Sequence, residues 1–402
     1  MNILRADEIT APRIPAKGEY TEAARQERLA FLRRQTGAGL EQIATISFES
    51  ERVRHNTEAL IGSVEIPIGV AGPLKINGLF AKGFFYAPLA TTEGALVASI
   101  SRGATALTLA GGANAAFLGQ RMMRVPSFEL DTLGDALHFS AFAVGQLSVL
   151  QALVKTLSRH GQLVSLEPQV MGRIVHVHCV YETGDAAGQN MTTTCTWQLV
   201  QKLRTDFEQY CGKAVRNYFI ESNLSSDKKA SFQSLIRGRG VRVVADCILP
   251  GDVVRNVLHT TPQNLIRCYQ RGASGAIAAG TLGFNMNIAN ALAALFTATG
   301  QDIACVHESA IGYLNLEQTD DDNLYAALIL PSLAIGTVGG GTGLPQQQEC
   351  LELLGCVGQG SKSKLAEILA GFCLALDLST LSAVASDEFA NAHERLGRNR
   401  PT

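Results

Sequence analysis

The chain has no large excess of charge of either sign. Its 402 residues include 34 Lys and Arg against 36 Asp and Glu, which gives a formal net charge of −2 at pH 7, and basic residues form only short pairs. Proteins that bind nucleic acid concentrate positive charge on one face. The composition therefore predicts no nucleic-acid partner.

Cysteine pairs are also absent, although cysteine itself is not. The nine cysteines are odd in number, and none belongs to a Cys-x-x-Cys motif. Disulfide scaffolds and structural zinc sites depend on such pairs. His176 and His178 alternate with apolar residues, and no third metal ligand suggests itself. We therefore expect free, buried cysteines in a reducing compartment, and no metal site.

Targeting signals and the common nucleotide-binding motifs are missing as well. Arg5, Asp7 and Glu8 place charge too early for a secretory signal. No Gly-x-Gly-x-x-Gly follows a predicted strand, and there is no Walker-type lysine loop, so an ordinary Rossmann or P-loop fold is excluded. We expect a cytoplasmic protein that does not associate with a membrane.

One long stretch, from Gly272 to Gln301, contains no charged residue. Its five glycines and three asparagines argue against a transmembrane span. Gly283, Asn287 and Asn290 recur at three-to-four-residue spacing and would share one helical face. The pattern predicts one long, buried helix whose polar stripe borders a site, with the rest of the chain organised around it.

The remaining chain predicts a mixture of helices and strands. With 46% hydrophobic residues, it can bury a large core in two or three domains. The segment 127–219 favours an α+β module: a helical stretch to Arg159, a strand at 172–181, and a helix after the turn at 184–191. That turn is either a phosphate-binding helix start or a simple connection.

Other segments predict local structure. A charged helix is expected from Thr21 to Thr36, and a cysteine-rich helical region runs to about Ser386. Between Ile66 and Leu74, Gly and Pro limit any regular element. The glycines from Gly336 to Gly343 require flexible or positive-φ backbone.

Two charged side chains have both a structural and a functional interpretation. Glu93 falls in the first turn of a predicted apolar helix that ends near Leu109. It is either a carboxylate stabilised by the helix dipole or a carboxyl group with a raised pKa that donates a proton. Arg124 is either a surface residue or the partner of a substrate carboxylate.

In their order and wording, these segments resemble the 3-hydroxy-3-methylglutaryl-CoA (HMG-CoA) reductase family. The resemblance covers roughly Ser47 to Arg400 and is highly specific, because six separated motifs recur in the right order. The six runs are 66–74, 90–94, 184–191, 227–229, 300–302 and 335–342, and a histidine follows near the end.

The resemblance implies an α+β architecture. A large domain around a long central helix would carry an inserted small ferredoxin-like cofactor-binding domain. The expected divisions are an N-terminal helical segment (1–50), a large substrate-binding and dimerisation domain (51–124 and 220–385), the insertion (125–219) and a mobile C-terminal segment with a catalytic histidine (386–402). The family also implies a soluble catalytic portion and a homodimer, or higher homo-oligomer, with shared active sites.

The resemblance assigns catalytic roles to Glu93, Lys228, Asp302 and His393. Each hydride addition creates an oxyanion, which Lys228 would neutralise. Asp302 would keep Lys228 charged and couple it to Glu93, the proton donor in aldehyde reduction. His393 would protonate the leaving thiolate. The positions that match substrate contacts are Arg124 and Lys229, for the free carboxylate, together with Asp227 and Asn290.

The resemblance also implies NADPH rather than NADH. Ser158 and Arg159 match a pair that binds the 2′-phosphate in the family's eukaryotic-type members, and an arginine is a suitable phosphate clamp. Asp185, Gly188 and Asn190 belong to the run that resembles the dinucleotide motif.

Some positions depart from the family pattern. Glu221 stands where a serine is common near the substrate, Gln270 replaces a lysine, and Asn287 replaces a CoA-contacting histidine. The leading hypothesis is NADPH-dependent reduction of HMG-CoA to mevalonate through a hemithioacetal and an aldehyde, with release of CoA. The alternatives are the same reduction of another carboxylated acyl thioester, and a non-enzymatic protein that binds a thioester or nucleotide.

Overall fold

A computed structural model describes residues 12–319 and 322–387. Those residues form thirteen α-helices and ten strands, which confirms the predicted α+β class. The helices are α1 Glu22–Thr36, α2 Glu41–Ala44, α3 Leu96–Leu109, α4 Leu133–Gly145, α5 Leu147–Leu157, α6 Gln189–Cys211, α7 Phe232–Ile236, α8 Gly251–Val257, α9 Pro262–Ala279, α10 Ile288–Thr299, α11 Val306–Ser309, α12 Pro345–Leu353 and α13 Ser361–Ala385. The strands are β1 Ile68–Gly78, β2 Lys82–Ala90, β3 Ala113–Arg124, β4 Ser127–Glu129, β5 Gln162–Met171, β6 Ile174–Glu182, β7 Asn217–Phe219, β8 Gly240–Leu249, β9 Tyr313–Gln318 and β10 Leu324–Leu333.

The strands form one sheet in two parts, joined by β3. In the larger part the order is β2-β1-β3-β8-β10-β9, and only the β1 and β3 pair is parallel. In the smaller part the order is β7-β4-β6-β5, with every pair antiparallel, and the end of β3 also pairs with β6. Each part has its own hydrophobic cluster.

The smaller part follows the element order β4-α4-α5-β5-β6-α6-β7. This order includes the β-α-β-β-α-β succession of a split βαβ motif. The ferredoxin-like assignment itself came from the family resemblance and stays a prediction. Its core packs the rings of Phe128, Phe139 and Phe207 together, with centroids 4.6 Å and 5.1 Å apart. The residue pattern predicted β6 and α6 but not β5, which completes a hairpin with β6.

The central helix of the larger part is α13. Of its 25 residues 21 are buried, and it packs against α3, β8, β3 and α10. A Cβ added to Gly103 of α3 would lie 1.8 Å from the Ala375 carbonyl oxygen, so glycine is required where these two helices cross. Helix α13 is long and apolar enough to cross a membrane, and so are α4 and α5 if the bent pair is counted as one span. However, 89% of the most apolar 18-residue stretch of α13 is buried inside the protein.

The prediction of one long, buried helix from Gly272 to Gln301 is wrong. The segment contains the end of α9 and all of α10, separated by residues 280–287. Gly280 ends α9 with a left-handed φ of 72°, and Gly283 has a φ of 76° with the Gly312 carbonyl oxygen only 2.5 Å from where its Cβ would be. The glycines therefore break the helix, because tertiary contacts hold them in conformations that a helix excludes.

The interpretation of residues 66–74 as a stretch without regular structure is also wrong. Strand β1 begins at Ile68 and pairs with β2, with a bulge between Ala71 and Leu74 that accommodates the Gly-Pro pair. The hairpin turn is held from α13, since the buried Glu367 carboxylate accepts backbone N–H bonds from Phe80 and Ala81 at 2.8 Å.

Several local predictions are confirmed. Helix α1 begins at Glu22 with Thr21 as its N-cap and ends at Thr36. Gly339 and Gly340 have φ angles of 79° and 58°, as the glycine-rich segment requires. All nine cysteines are free and seven of them are buried.

Candidate active site

Lys228 lies in the loop that links β7 to α7. Three residues of this loop, Asn223, Ser226 and Lys228, have φ angles between 56° and 67°. Residues other than glycine adopt this conformation at a cost, and persist in it where surrounding contacts hold them. Here the Glu221 carboxylate accepts hydrogen bonds from Asn223 N at 2.8 Å and from Ser225 Oγ at 2.9 Å. These contacts order the loop that presents Lys228.

The Lys228 ammonium forms an ion pair with Asp302. The distance from Nζ to Oδ2 is 2.8 Å, and the two side chains are 42% and 40% exposed. Asp302 Oδ1 also accepts a hydrogen bond from Ala304 N, which caps the following 3-10 turn. The hydrogen bond from Asp302 raises the pKa of Lys228 above its usual value. The pair therefore presents a fixed cation, rather than a base, to the cleft.

Three of the recognised motifs converge behind Asp302. The Gln301 side chain makes two hydrogen bonds with the backbone of Gly336, at 2.8 Å and 2.9 Å. A Cβ on Gly300 would lie 2.4 Å from the Gly341 carbonyl, so the two loops can meet only through glycine. Thr337 N donates to Asp185 O at 2.8 Å. Contacts among these loops therefore fix the position of the Asp302 carboxylate.

A network of charged side chains, two of them fully buried, lies behind Lys228. Asp227 accepts a hydrogen bond from Arg124 Nη1 at 2.8 Å and lies 2.6 Å from Arg239 Nη2. Arg239 Nη1 also donates to Glu308 Oε1 at 2.8 Å, and both of these side chains are fully buried. The Arg239 guanidinium is the strongest influence that lowers the pKa of Asp227 against the opposing effect of burial. Asp227 therefore organises two arginines beside Lys228.

Sequence reasoning missed Arg239 and Glu308. Neither belongs to a motif, and Arg239 lies between two glycines just before β8. In the structure Glu308 Oε1 also lies 3.3 Å from the backbone N of Lys228, and burial raises the pKa of Glu308. Only the fold brings these distant positions under the lysine loop.

Glu93 is placed differently from the prediction. It precedes α3 by three residues and therefore lies outside the first turn, because Ala95, with a φ of 71°, is the residue before the helix. Its Oε1 accepts a hydrogen bond from Asn290 Nδ2 at 3.0 Å. The two residues line a cleft of about 500 Å³, whose walls include Leu96, Met286 and Leu376.

Within one chain, Glu93 does not reach Lys228 and Asp302. Asn290, its partner, is near the start of α10, whereas Asp302 follows the other end. The helical rise separates Asn290 from Thr299 by about 14 Å along the axis. Lys228 and Asp302 line a second cleft, of about 860 Å³, with Arg124 and Asp227. The exposed Lys229 donates from Nζ to the Asp227 carbonyl at 3.1 Å.

The second cleft also contains the residues of the expected dinucleotide motif. Gly188, with a φ of 84°, is the N-cap of α6, and Asn190 is exposed in its first turn. A Cβ on Gly188 would lie 2.3 Å from Thr183 Cγ2. The Asp185 carboxylate points to a different element, because it accepts hydrogen bonds from the backbone N–H groups of Gly360 and Lys362 at the start of α13. The open start of α6 provides free N–H groups that suit an anion.

Ser158 and Arg159 lie next to this motif. Ser158 Oγ accepts a hydrogen bond from Gly161 N at 2.9 Å, and Arg159 is exposed. A Cβ on Gly161 would lie 2.5 Å from Met191 Sδ, so the two loops touch. The structure therefore brings both parts of the expected cofactor site together. His393, the remaining predicted catalytic residue, lies outside the described residues.

The fold and the site together define a class of protein. An α+β fold with two cores has a cleft that joins a lysine cation, paired with aspartate, to the open start of a long helix. Comparison with known proteins identifies the family. The family model for hydroxymethylglutaryl-coenzyme A reductase matches residues 24–398. The chain belongs to the HMG-CoA reductase family.

Individual relatives agree with this assignment. The 3-hydroxy-3-methylglutaryl-coenzyme A reductase of Aeropyrum pernix is 44% identical over 388 residues, which cover 95% of this chain and 91% of that protein. The corresponding Pyrococcus horikoshii protein is 41% identical over 383 residues, 93% of this chain and 92% of that protein. The class II HMG-CoA reductase of Streptococcus pneumoniae, solved with NADPH in open conformations, matches with a TM-score of 0.62, 20% identity, and coverage of 89% of this chain and 96% of that one. At that identity the structural likeness concerns the fold alone.

Proposed function

We propose that this protein reduces HMG-CoA to mevalonate with NADPH and releases CoA. The observation that carries the proposal is the ion pair of Lys228 and Asp302 in the same cleft as the start of α6. Reduction of a thioester needs a cation where the carbonyl oxygen becomes negative, and a neighbouring place for a nucleotide. Family membership supports the same reaction.

Lys228 is the proposed electrophile in both reductions. NADPH supplies the hydride each time, and the thioester passes through a hemithioacetal and an aldehyde. Negative charge develops on the carbonyl oxygen at each step, and a preorganised ammonium within hydrogen-bond distance stabilises it. Asp302 keeps that ammonium protonated, because its hydrogen bond raises the pKa of Lys228.

Release of CoA requires a proton for the leaving thiolate. A thiol has a reference pKa of about 8.5 and imidazole one of about 6.5, so a histidinium protonates the thiolate efficiently. We assign this role to His393 on the family resemblance.

We infer that the complete active site forms between two chains. In one chain Glu93 lines a different cleft from Lys228 and Asp302, so Glu93 of the partner subunit is the proposed proton donor for the aldehyde oxygen. The outer face of the β1 and β2 hairpin provides an apolar surface for such contact. The side chains on that face, each between 49% and 60% exposed, are Ile68, Val70, Phe84 and Tyr86.

The substrate is proposed to lie across both clefts. Arg124 and Lys229 are the cations for its free carboxylate, and Asp227 orients Arg124. Asn290 holds the Glu93 carboxylate. The apolar walls of the Glu93 cleft fit the flexible arm of an acyl thioester.

The cofactor is proposed to bind at the start of α6. The N–H groups near Gly188 and the exposed Asn190 suit its phosphates, and Asp185 holds the loop against α13. Ser158 and Arg159 are the proposed clamp for the 2′-phosphate, which favours NADPH over NADH.

We also infer the division of the chain and its setting. The separate hydrophobic clusters support a large domain of residues 51–124 and 220–385 and an inserted domain of residues 125–219. Residues 1–50 would form an N-terminal segment, and 386–402 would carry His393. A cytoplasmic setting without a nucleic-acid partner fits the balanced charge, and the homodimer is proposed on the family resemblance.

An assay with purified protein tests the proposal. HMG-CoA is mixed with NADPH, while the cofactor absorbance and the free thiol are followed together. We expect two molecules of NADPH oxidised for each CoA thiol released, and slower turnover with NADH. The absence of NADPH oxidation with HMG-CoA, in a protein that binds NADPH, would contradict the proposed reaction.

The second candidate is the same reduction of another acyl thioester. It is favoured by one contact, the 3.3 Å approach of Glu221 to Arg124, because that guanidinium is the proposed carboxylate site. Turnover with other acyl thioesters but not with HMG-CoA would support this candidate. A failure of every thioester to react would favour a binding protein without catalysis.

A further inference from the structure

Glu221 lies against the guanidinium that is proposed for the substrate carboxylate. Its Oε2 is 3.3 Å from Arg124 Nη1, and the same nitrogen donates to Asp227 Oδ2 at 2.8 Å. Arg124 Nε donates to Thr193 Oγ1 at 2.8 Å. Of the three guanidinium nitrogens of Arg124, therefore, only Nη2 has no hydrogen-bond partner among the described residues. A substrate carboxylate binds arginine best through two nitrogens, and Glu221 removes that possibility.

The local charge also disfavours a further anion. Two guanidinium groups, of Arg124 and Arg239, and the nearby Lys229 ammonium already face three carboxyl groups, of Glu221, Asp227 and Glu308, before any substrate binds. A substrate carboxylate would add a fourth acidic group to this network, and like charges in contact at a binding site cost affinity.

Glu221 is the most easily displaced of these acids. Its side chain is 31% exposed, against 21% for Asp227 and 0% for Glu308. Its distance to Arg124 is also the longer of the two that Arg124 makes with carboxylates. Asp227 contacts two arginines, so its removal would take a carboxylate partner from both, whereas the loss of Glu221 takes one from Arg124 alone.

We propose that Glu221 is a specificity-determining residue that occupies the carboxylate subsite and weakens the binding of acyl thioesters with a second, free carboxylate. The inference rests on the proposed function, which places the acyl group between Lys228 and Arg124. Acyl groups that end in an uncharged polar group do not compete with Glu221. A dicarboxylate-derived acyl group must displace it.

Replacement of Glu221 tests this role. We expect Glu221→Ser to lower the KM for HMG-CoA at least tenfold. Glu221→Gln keeps an oxygen that can accept from Asn223 N, so it preserves the loop while removing the charge, and we expect it to lower the KM at least threefold. Both kcat and KM are measured, because they report different effects. Disorder of the Lys228 loop would lower kcat, whereas an open carboxylate subsite would lower KM.

Two controls isolate the carboxylate. The first is 3-hydroxybutanoyl-CoA, which has the thioester and hydroxyl but no free carboxylate, and its inhibition constant against HMG-CoA should change less than twofold in either variant. The second is Glu208→Gln, an equal change of net charge at an exposed position of α6, which should leave the KM for HMG-CoA unaltered.

The outcomes separate this inference from the proposed function. If the wild-type protein reduces HMG-CoA but neither Glu221 variant lowers the KM, the inference is overturned and the function stands. If no variant reduces HMG-CoA, calorimetry with 3-hydroxy-3-methylglutarate decides. Tighter binding by both Glu221 variants than by the wild type supports the role of Glu221, and unchanged or weaker binding overturns it.

Discussion

At the scale of the residue, backbone conformation and local charge distinguish the important side chains. Lys228 has a left-handed φ and one carboxylate partner, and it remains accessible. An ion pair this exposed adds little to stability, so its significance is the position of the cation. Lys362 is the opposite case. It is 4% exposed, and its Nζ donates to Ala186 O at 3.0 Å and to Thr183 Oγ1 at 3.2 Å.

Lys362 should make the free energy of unfolding rise with pH in the alkaline range. Burial lowers its pKa from 10.5 to about 8. Between these values the unfolded chain holds the proton and the folded protein does not, so unfolding takes up a proton and stability rises with pH. The unfolding free energy of the wild type, relative to Lys362→Met, should increase by about 3 kcal/mol from pH 8 to pH 10.5.

Urea unfolding of both proteins across this range measures the difference, since all other groups titrate alike in the two. Lys364→Met, on the same helix at a position that is only half-buried, serves as the control and should run parallel to the wild type. Parallel curves for Lys362→Met would instead show that the buried lysine keeps an ordinary pKa.

At the scale of the element, α13 organises the larger part through buried acids as well as apolar packing. Glu367 accepts backbone N–H bonds from the β1 and β2 turn and from β3. Asp377 accepts the N–H groups of Met286 and Asn287 at the start of α10, at 3.1 Å and 3.0 Å. Burial raises the pKa of Asp377 to about 7. Both carboxylates therefore accept hydrogen bonds from backbone N–H groups that would otherwise have no partner.

Glu367→Gln should destabilise the protein strongly. The carboxylate accepts four N–H groups, from residues 79, 80, 81 and 117, and an amide would direct its own N–H donors at some of them. We expect the free energy of unfolding to fall by on the order of 3 kcal/mol. Urea denaturation followed by circular dichroism measures this, with Glu208→Gln as an exposed control. A loss below about 1 kcal/mol would mean that the hairpin turn finds other partners.

At the scale of the whole molecule, the residues of the proposed active site line two different clefts. Glu93 and Lys228 lie toward opposite ends of α10, so in the proposed reaction they would act together only across two chains. An exposed apolar hairpin face is available for that contact. In a two-fold dimer each chain would then complete the site of the other.

Mixing two inactive variants tests this division. Glu93→Gln and Lys228→Ala should each lose at least about 100-fold in kcat. After the two are unfolded and refolded together, half of the dimers are mixed, and one of the two sites in each mixed dimer has both native residues. Activity should therefore return to about a quarter of the wild-type value. Activity that stays at the level of the separate variants would indicate that each chain uses its own Glu93.

Local sequence patterns determined much of the molecule. Residue periodicity predicted α1 between Thr21 and Thr36, and alternation of apolar residues predicted β6. The separated motifs led to Lys228 and Asp302, which the structure joins at 2.8 Å. Patterns of this kind lie in neighbouring residues, because helical and strand periodicity relate positions only two to four residues apart.

Tertiary structure alone decided the rest. Three features depend on contacts that local sequence patterns do not report. They are the break between α9 and α10, the pairing of β1 with β2 and of β5 with β6, and the burial of Arg239 with Glu308. Residue spacing reports which side chains can share a face, but it does not report which backbone a glycine will meet or which charges a fold will bury together. For that reason the sequence identified the chemistry of this family, whereas the fold decided that Glu93 stands apart from Lys228 and that Glu221 lies against Arg124.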